Sequence, residues 1–363
     1  VNGNDILDEE DYLGFDTNRN HNWIKENIIP SDWDCILLAE TEGVQTTQYS
    51  YDYSINASMI EECVNEGVSI FMSDAHGSPT STVRSIFTND VDADGLYDWG
   101  IDSQAGQAFL STSSEFDTRG MLGLYFLAAC STGTFVGHNC LTEYITRTSG
   151  IGAIGSSQSA YYDPGWYEGA TLGWYTQGLL ERFWRQIFSV DGNHPGRALA
   201  LAKDDYASDY VAESPDAYDG GRTLSQYNLM GDPEVPIWLD IPSNLGITIT
   251  SNNETGVITV HATAEGSSVT GAIVTIVGES ILQREITDST GAVQFSIPDL
   301  QDSENVTITA SKNGFIPSAA NTSVSPVASE PADGNPLVFE LAVISGTALV
   351  ALVLVVLVAK KRA

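Results

Sequence analysis

Two apolar runs in this sequence each end in a residue able to move a proton or attack a carbonyl. Ile70-Phe-Met-Ser-Asp-Ala leads into His76 and Gly77, and Leu124-Tyr-Phe-Leu-Ala-Ala leads into Cys130-Ser-Thr-Gly133. A thiol attacks a carbonyl only as the thiolate, so it needs a base or a lowered pKa. A histidine titrates near neutrality and can take that proton. If the two runs are neighbouring buried strands, they lie about 4.8 Å apart and bring His76 and Cys130 to one rim. In an open parallel α/β sheet, sites form at the carboxyl ends of strands. Gly77 lets its backbone N–H approach a bound carbonyl, and the N–H groups of Gly77 and Cys130 could together hold an oxyanion. Alone, Cys130 reads as a small buried apolar residue and His76 as a loop histidine. The pair, each just past a buried strand in one α/β region, points to chemistry.

A second constellation is independent of the first. Asp90-Val-Asp92-Ala-Asp94-Gly95-Leu96-Tyr-Asp98 sets oxygen ligands at alternate positions, a Gly at the sixth and an acid at the ninth. That spacing suits Ca²⁺, with Leu96 contributing its backbone carbonyl. The twelfth position is Ile101 rather than Glu, so the pattern is a calcium loop without the full helix-loop-helix motif. The loop falls between the two reactive runs and is expected to brace the rim. His21, His138, His194 and His261 show no ligand spacing and read as surface or loop residues. Cys35 and Cys63 are candidates for a disulfide.

The elements that must position these residues follow from hydrophobic pattern. Helices are expected over 22–29, 54–65, 139–148, 169–188 and 195–206, the last with Pro at its first turn. Buried strands are expected over 34–40, 68–73, 121–129 and 151–155. Buried strands alternating with helices indicate a parallel-strand sheet flanked by helices. After Asp240 the texture changes to Ser, Thr, Val, Ile and Gly, with short alternating runs over 246–250, 257–261, 272–277, 293–297 and 306–310. That pattern reads as a β-sandwich. The expected organisation is an α/β domain over 1–240, a sandwich over 241–326 and a Pro-rich linker over 327–336.

Whole-chain composition sets the setting. The 363 residues carry 48 Asp+Glu against 15 Lys+Arg, a formal net charge of −33. Such a chain is not a nucleic-acid binder, because phosphate contacts need clustered cations. Leu341 to Ala359 holds no charge, and Lys360, Lys361 and Arg362 follow at once. An apolar stretch of this length spans a bilayer, and a basic cluster after it stays cytoplasmic. Residues 337–359 are therefore expected to form a transmembrane helix, 360–363 a cytoplasmic basic tail, and everything before them to lie outside the cell. Sequons at Asn56, Asn253, Asn305 and Asn321 agree with export. With no starting Met and no signal peptide, the N-terminus is expected to be processed or trimmed.

The motifs resemble those of the gingipain-type cysteine peptidases of the caspase-like clan. Ala75-His76-Gly77-Ser78 is similar to the family's Gly-His-Gly-Ser, and Ala129-Cys130-Ser-Thr-Gly133-Thr-Phe135 to its Ala-Cys-x-x-Gly-x-Phe. Cys140-Leu-Thr-Glu143-Tyr-Ile-Thr-Arg147, Gly150 to Ser156 and Gly231-Asp232-Pro233 resemble the segments that follow in the family. The resemblance implies a caspase-like α/β domain, an immunoglobulin-like domain after it, and peptide-bond hydrolysis by Cys130 as nucleophile with His76 as general base. It also implies a preference for Arg or Lys before the scissile bond, with Asp16 as the acid of the substrate pocket and Tyr162 as its aromatic wall. The family has a further strand before Asp16, so the peptidase domain is expected to be N-terminally incomplete here. The implied protein is a cell-surface cysteine endopeptidase acting on protein or peptide substrates. The alternative is a catalytically silent surface protein using the same fold for binding or adhesion.

Overall fold

A computed structural model describes residues 17–44, 46–91, 93, 103–118, 122–137, 139–161, 175–189, 193–213, 217–240, 242–252, 255–297 and 303–325. The polar first segment winds into α1 (Asn18–Asn27), then passes β1 (Leu38–Ala39) and β2 (Tyr53–Ser54), which pair in parallel. Asn56 caps α2 (Ala57–Glu66): its Oδ1 accepts the Met59 N–H at 2.9 Å, satisfying a donor the first turn leaves open. Gly67, at φ 97°, ends the helix in a conformation that favours glycine. The chain continues through β3 (Ile70–Asp74), β4 (His76–Ser78), β5 (Ser81–Asn89), β6 (Ser103–Ser111) and β7 (Gly123–Ala128). Next come α3 (Leu141–Thr148), β8 (Gly150–Ser156), α4 (Tyr175–Ile187), α5 (Pro195–Glu213), α6 (Ala217–Gln226) and β9 (Tyr227–Gly231).

The central sheet runs β3-β7-β8-β9. Every residue of β7 is buried, which is what a continuous apolar run at the middle of a sheet requires. Leu124, Phe126 and Ala128 pack on one face with Leu179, Phe183 and Trp184 of α4 and Ala198, Ala202 and Tyr206 of α5. Tyr125 and Leu127 pack on the other with Ile60 and Val64 of α2 and Leu141 and Ile145 of α3. The sheet thus lies between two helix layers.

Three sequence expectations are corrected. The sheet is not wholly parallel: β9 runs antiparallel to β8, from Tyr227 opposite Ser156 to Gly231 opposite Gly152. The physical reason is that α6 passes directly into β9 at the end where β8 leaves the sheet, with the Ser157 N–H on the Gln226 carbonyl at 2.9 Å. The apolar run at 34–40 contributes only the two residues of β1, outside the central sheet. All four cysteines are free, so Cys35 and Cys63 are not bonded. A separate antiparallel sheet, β4-β5-β6, went unread, because its strands mix polar and apolar residues on both faces. Buried Arg84 anchors it: its guanidinium meets Glu40 at 3.1 Å, Glu42 at 2.8 Å and the Gln107 side chain.

A break between Leu239 and Asp240 divides the chain into two units. The second contains β10 (Ser243–Asn244), β11 (Gly246–Asn252), β12 (Val257–Ala264), β13 (Ser267–Ser268) and β14 (Ile273–Val277). It continues with β15 (Leu282–Ile286), β16 (Ala292–Ser296), β17 (Glu304–Ser311), β18 (Phe315–Ile316) and β19 (Ser318–Val324). One four-stranded sheet joins β11, β12, β13 and β16; the other runs β15-β14-β17-β19. Inward residues of both, among them Ile258, Val260, Val274, Ile276, Phe295 and Ile308, form one core. Asn305 and Asn321 are exposed on neighbouring strands β17 and β19, their Oδ1 atoms accepting from Ser323 and Thr307. The sequon at Asn253 and the apolar stretch at 337–359 lie outside the described residues. Among the described residues no helix is long and apolar enough to cross a membrane.

Candidate active site

Strand register brings the two reactive runs together. β3 pairs with β7 in parallel from Ile70 opposite Leu124 to Asp74 opposite Ala128, and the Ala75 N–H extends the ladder to the Ala128 carbonyl at 3.2 Å. His76 and Cys130 each stand two residues beyond that last pair, at the carboxyl ends of adjacent strands. Gly77 fixes the approach. A Cβ built on it would lie 2.4 Å from the Cys130 carbonyl oxygen and 2.9 Å from the Cys130 nitrogen, so only a glycine lets the two segments close this far. His76 is exposed, and Cys130 keeps part of its surface.

The histidine rides on a short hairpin. β4 and β5 pair antiparallel, His76 opposite Val83 and Ser78 opposite Ser81. The Ser78 hydroxyl accepts the N–H groups of Thr80 and Ser81 at 3.2 and 3.1 Å, closing the turn around Pro79. The Leu141 N–H bonds the Pro79 carbonyl at 2.7 Å, tying this hairpin to the start of α3.

The cysteine sits on a sharp bend. Ser131 has φ 60°, a left-handed conformation that costs a non-glycine residue about 1–2 kcal/mol. Its neighbours hold it there. The Ser131 N–H bonds the Gln158 carbonyl at 2.8 Å, the Gly133 N–H the Ser156 carbonyl at 2.8 Å, and the Thr134 hydroxyl the Ser157 carbonyl at 2.8 Å. The end of β8 thus laces the loop after Cys130. The same segment reaches the sulfur: the Ala160 N–H points at Cys130 Sγ at 3.3 Å, and the Ala160 carbonyl lies 3.6 Å away.

Below the rim lies a polar cluster that sequence reading missed. Gln177 of α4 donates from Nε2 to Asp74 Oδ2 at 3.1 Å. Thr176 and Tyr227 share a hydroxyl bond of 3.0 Å. Burial pushes the Asp74 carboxyl up to about 7. It also raises the Tyr227 phenol, and the negative charges of Asp74 and Cys130 add to that shift. Asp74 and Cys130 therefore each lie near the Tyr227 phenol. The available signal was an acid inside an apolar run, two residues before the histidine. Beside the sulfur, Tyr161 lies under the Arg222 guanidinium, 4.9 Å from its ring, with Arg222 Nη1 donating to Tyr161 Oη at 2.8 Å.

The remaining expectations divide. Asp16, Tyr162, Asp92, Asp94, Leu96 and Asp98 lie outside the described residues. Asp90 is described, and its Oδ1 accepts the Ala93 N–H at 2.7 Å. Ala93 itself has φ 61°. His21, read as a surface residue, lies in α1 with its pKa lowered to about 4 by burial.

A thiol and an imidazole at the ends of neighbouring strands, on a mixed sheet between helix layers, are the framework of a cysteine-type peptidase. The chain belongs to peptidase family C25, whose model matches residues 5–238, and it is a gingipain-type member of the cysteine peptidases. Its fold is similar to a crystal structure of gingipain R, an Arg-specific cysteine proteinase, with TM-score 0.52 and 17% identity, covering 83% of this chain and 69% of that one. A complex of the pro- and mature domains of RgpB from Porphyromonas gingivalis gives TM-score 0.51 and 17% identity over 84% and 72%. A structure described as a protease gives 0.51 and 16% over 87% and 72%. Comparison with the curated proteins finds no match.

Proposed function

We propose that the protein is a cell-surface cysteine endopeptidase that cleaves after Arg or Lys through a Cys130–His76 dyad. The observation that carries this is the closure of Gly77 onto Cys130, together with the parallel register of β3 and β7, whose last pair lies two residues before both His76 and Cys130. His76 takes the Cys130 proton, and the thiolate forms a C–S bond to the scissile carbonyl. The N–H groups of Gly77 and Cys130 hold the oxyanion. The imidazolium returns its proton to the departing amine. A water deprotonated by His76 then breaks the thioester and frees the acid. Asp16 and Tyr162 line the pocket in this reading, as the family resemblance implies.

The finer parts of the proposal concern setting. The second unit is an immunoglobulin-like stalk, and residues 337–359 anchor the chain in a membrane with the catalytic unit outside. Ca²⁺ is held by Asp90, Asp92, Asp94, the Leu96 carbonyl and Asp98. The bond from the Ala93 N–H to Asp90 Oδ1 supports this, because it curls the backbone around the first ligand as such a loop needs. Chelation is expected to lower the melting temperature, and unchanged melting with unchanged activity would remove the metal from the reading.

The test is cleavage of a mixed peptide library by the full chain beside Cys130→Ala and His76→Ala. Wild type is expected to cut, and each variant to lose about 10³-fold or more. A folded wild type that cuts nothing and resists an acyloxymethyl-ketone probe at Cys130 would favour the binding protein instead.

A further inference from the structure

Two of the sequons fall on one open face of the second unit, and strand register makes them a pair. β17 runs antiparallel to β19, with Asn305 opposite Ser323 and Thr307 opposite Asn321. Asn305-Val-Thr307 and Asn321-Thr-Ser323 are both acceptor triplets, so each asparagine faces the hydroxyl residue of the other triplet. The Ser323 hydroxyl donates to Asn305 Oδ1 at 2.7 Å, and the Thr307 hydroxyl to Asn321 Oδ1 at 2.9 Å. All four residues are exposed. Both bonds end on the amide oxygen, and among the described residues neither Nδ2 makes a hydrogen bond. Asn56 is the contrast. It is half-buried, its Oδ1 accepts the Met59 N–H at 2.9 Å, and its Nδ2 donates to the Ser54 carbonyl at 3.3 Å. Both ends of that amide are committed to the start of α2.

We propose that Asn305 and Asn321 are N-glycosylation sites whose saccharides cover the outward face of this sheet, while Asn56 stays bare. The proposal rests on the placement of the chain outside the cell and is independent of the dyad. The donor is a lipid-phosphate-linked oligosaccharide, and a membrane transferase supplies the catalysis. Nδ2 attacks the anomeric carbon, the C–O bond to phosphate breaks and the C–N bond forms. Nδ2 gives up one proton to a base of the transferase, and the lipid phosphate departs. Both triplets lie inside paired strands, so transfer takes place on the extended chain before β17 and β19 pair. Folding then keeps both cross-strand bonds, because they end on Oδ1 and the saccharide hangs from Nδ2.

The neighbours of the pair give a second argument. Val277 stands opposite Thr307 on one side and Leu282 on the other, so Leu282, Val277, Thr307 and Asn321 form one row across the outward face. Val277 is 45% exposed and Leu282 76%. Adjacent apolar side chains left open on a sheet face mark a surface that something covers. Hexose rings carry C–H faces that pack on such side chains. Asn305 and Asn321 are diagonal neighbours, about 7–8 Å apart, so two saccharides stand side by side at the end of this row. β19 is also the last strand of its sheet, and a bulky polar group on it blocks pairing with another chain.

The experiment takes the full chain from the cells that naturally make it and reads its glycopeptides by mass spectrometry with electron-transfer fragmentation. Asn305 and Asn321 are expected to carry saccharide in most molecules and Asn56 to carry none. In the same cells Thr307→Ala should lose the saccharide at Asn305 and keep it at Asn321, whose own hydroxyl is Ser323, whereas Thr307→Ser should keep both. The double variant Asn305→Gln/Asn321→Gln should fold, cleave peptides as wild type does, and self-associate more on gel filtration, an effect that Leu282→Thr reverses. Asn305 and Asn321 bare in the bulk of molecules, or Asn56 modified as fully as they are, overturns the assignment. Labelling of intact cells with a membrane-impermeant reagent tests the location separately. A chain that is labelled but bare overturns this inference alone, and a chain neither labelled nor modified overturns the surface placement with it.

Discussion

At the scale of single residues, the site is defined by close backbone approach as much as by reactive side chains. Gly77→Ala would drive a methyl into the Cys130 carbonyl and nitrogen. Because both obstacles are backbone, the strands must part, and kcat/KM is expected to fall about 10²-fold or more. The expected loss of melting temperature is modest, corresponding to about 1–3 kcal/mol. Ser131→Gly relaxes the left-handed bend and is expected to leave stability level or slightly raised while lowering kcat, since the bend aims the sulfur. Asp74 makes an opposite kind of contribution. Its folded-state pKa of about 7 stands above its ordinary value of 3.8. Between those values the folded chain holds a proton that the unfolded chain has released, so stability falls as pH rises from about 4 to 7. The loss is at most roughly 4 kcal/mol. Urea titrations of wild type and Asp74→Asn should therefore diverge with pH, the variant gaining more at pH 8 than at pH 5.

At the scale of elements, Arg84 couples the small β4-β5-β6 sheet to the segment around Glu40 and Glu42. Arg84→Ala leaves Glu40 half-buried beside an emptied site, and a cost of about 3 kcal/mol is expected in denaturant unfolding. Because β4 carries His76, kcat/KM should fall with it. This sheet also marks where reading from sequence stopped. β7 and β8 were legible because continuous apolar runs have no other place than a buried central sheet. The helix starting at Pro195 was legible from its first-turn proline, though it runs on to Glu213. β5 and β6 were not, since Arg84, Gln104 and Gln107 break the alternation, and Arg84 and Gln107 owe their places to each other, 23 residues apart. His76 and Cys130 could be singled out because they close apolar runs. Asp74 was passed over because an acid inside such a run looks like an edge, and its partner Gln177 is 103 residues away.

At the scale of the whole molecule, the cores of the two units share no residue. Each therefore has its own apolar interior to melt. Calorimetry of the chain should resolve two transitions, and residues 242–325 alone should reproduce one of them. A single transition lost entirely on cutting at Asp240 would show the units to be interdependent.

The complete burial of β7 has a consequence for genetics. The strand that leads to Cys130 at the rim is packed on both faces, so nearly any substitution between Gly123 and Ala128 disturbs an interior. A saturation screen scored by growth or secretion would therefore show an intolerant block ending just before Cys130. The tolerance of Cys130 itself would depend on whether the selection requires activity. The contrast between those adjacent positions separates what the lineage keeps for folding from what it keeps for chemistry.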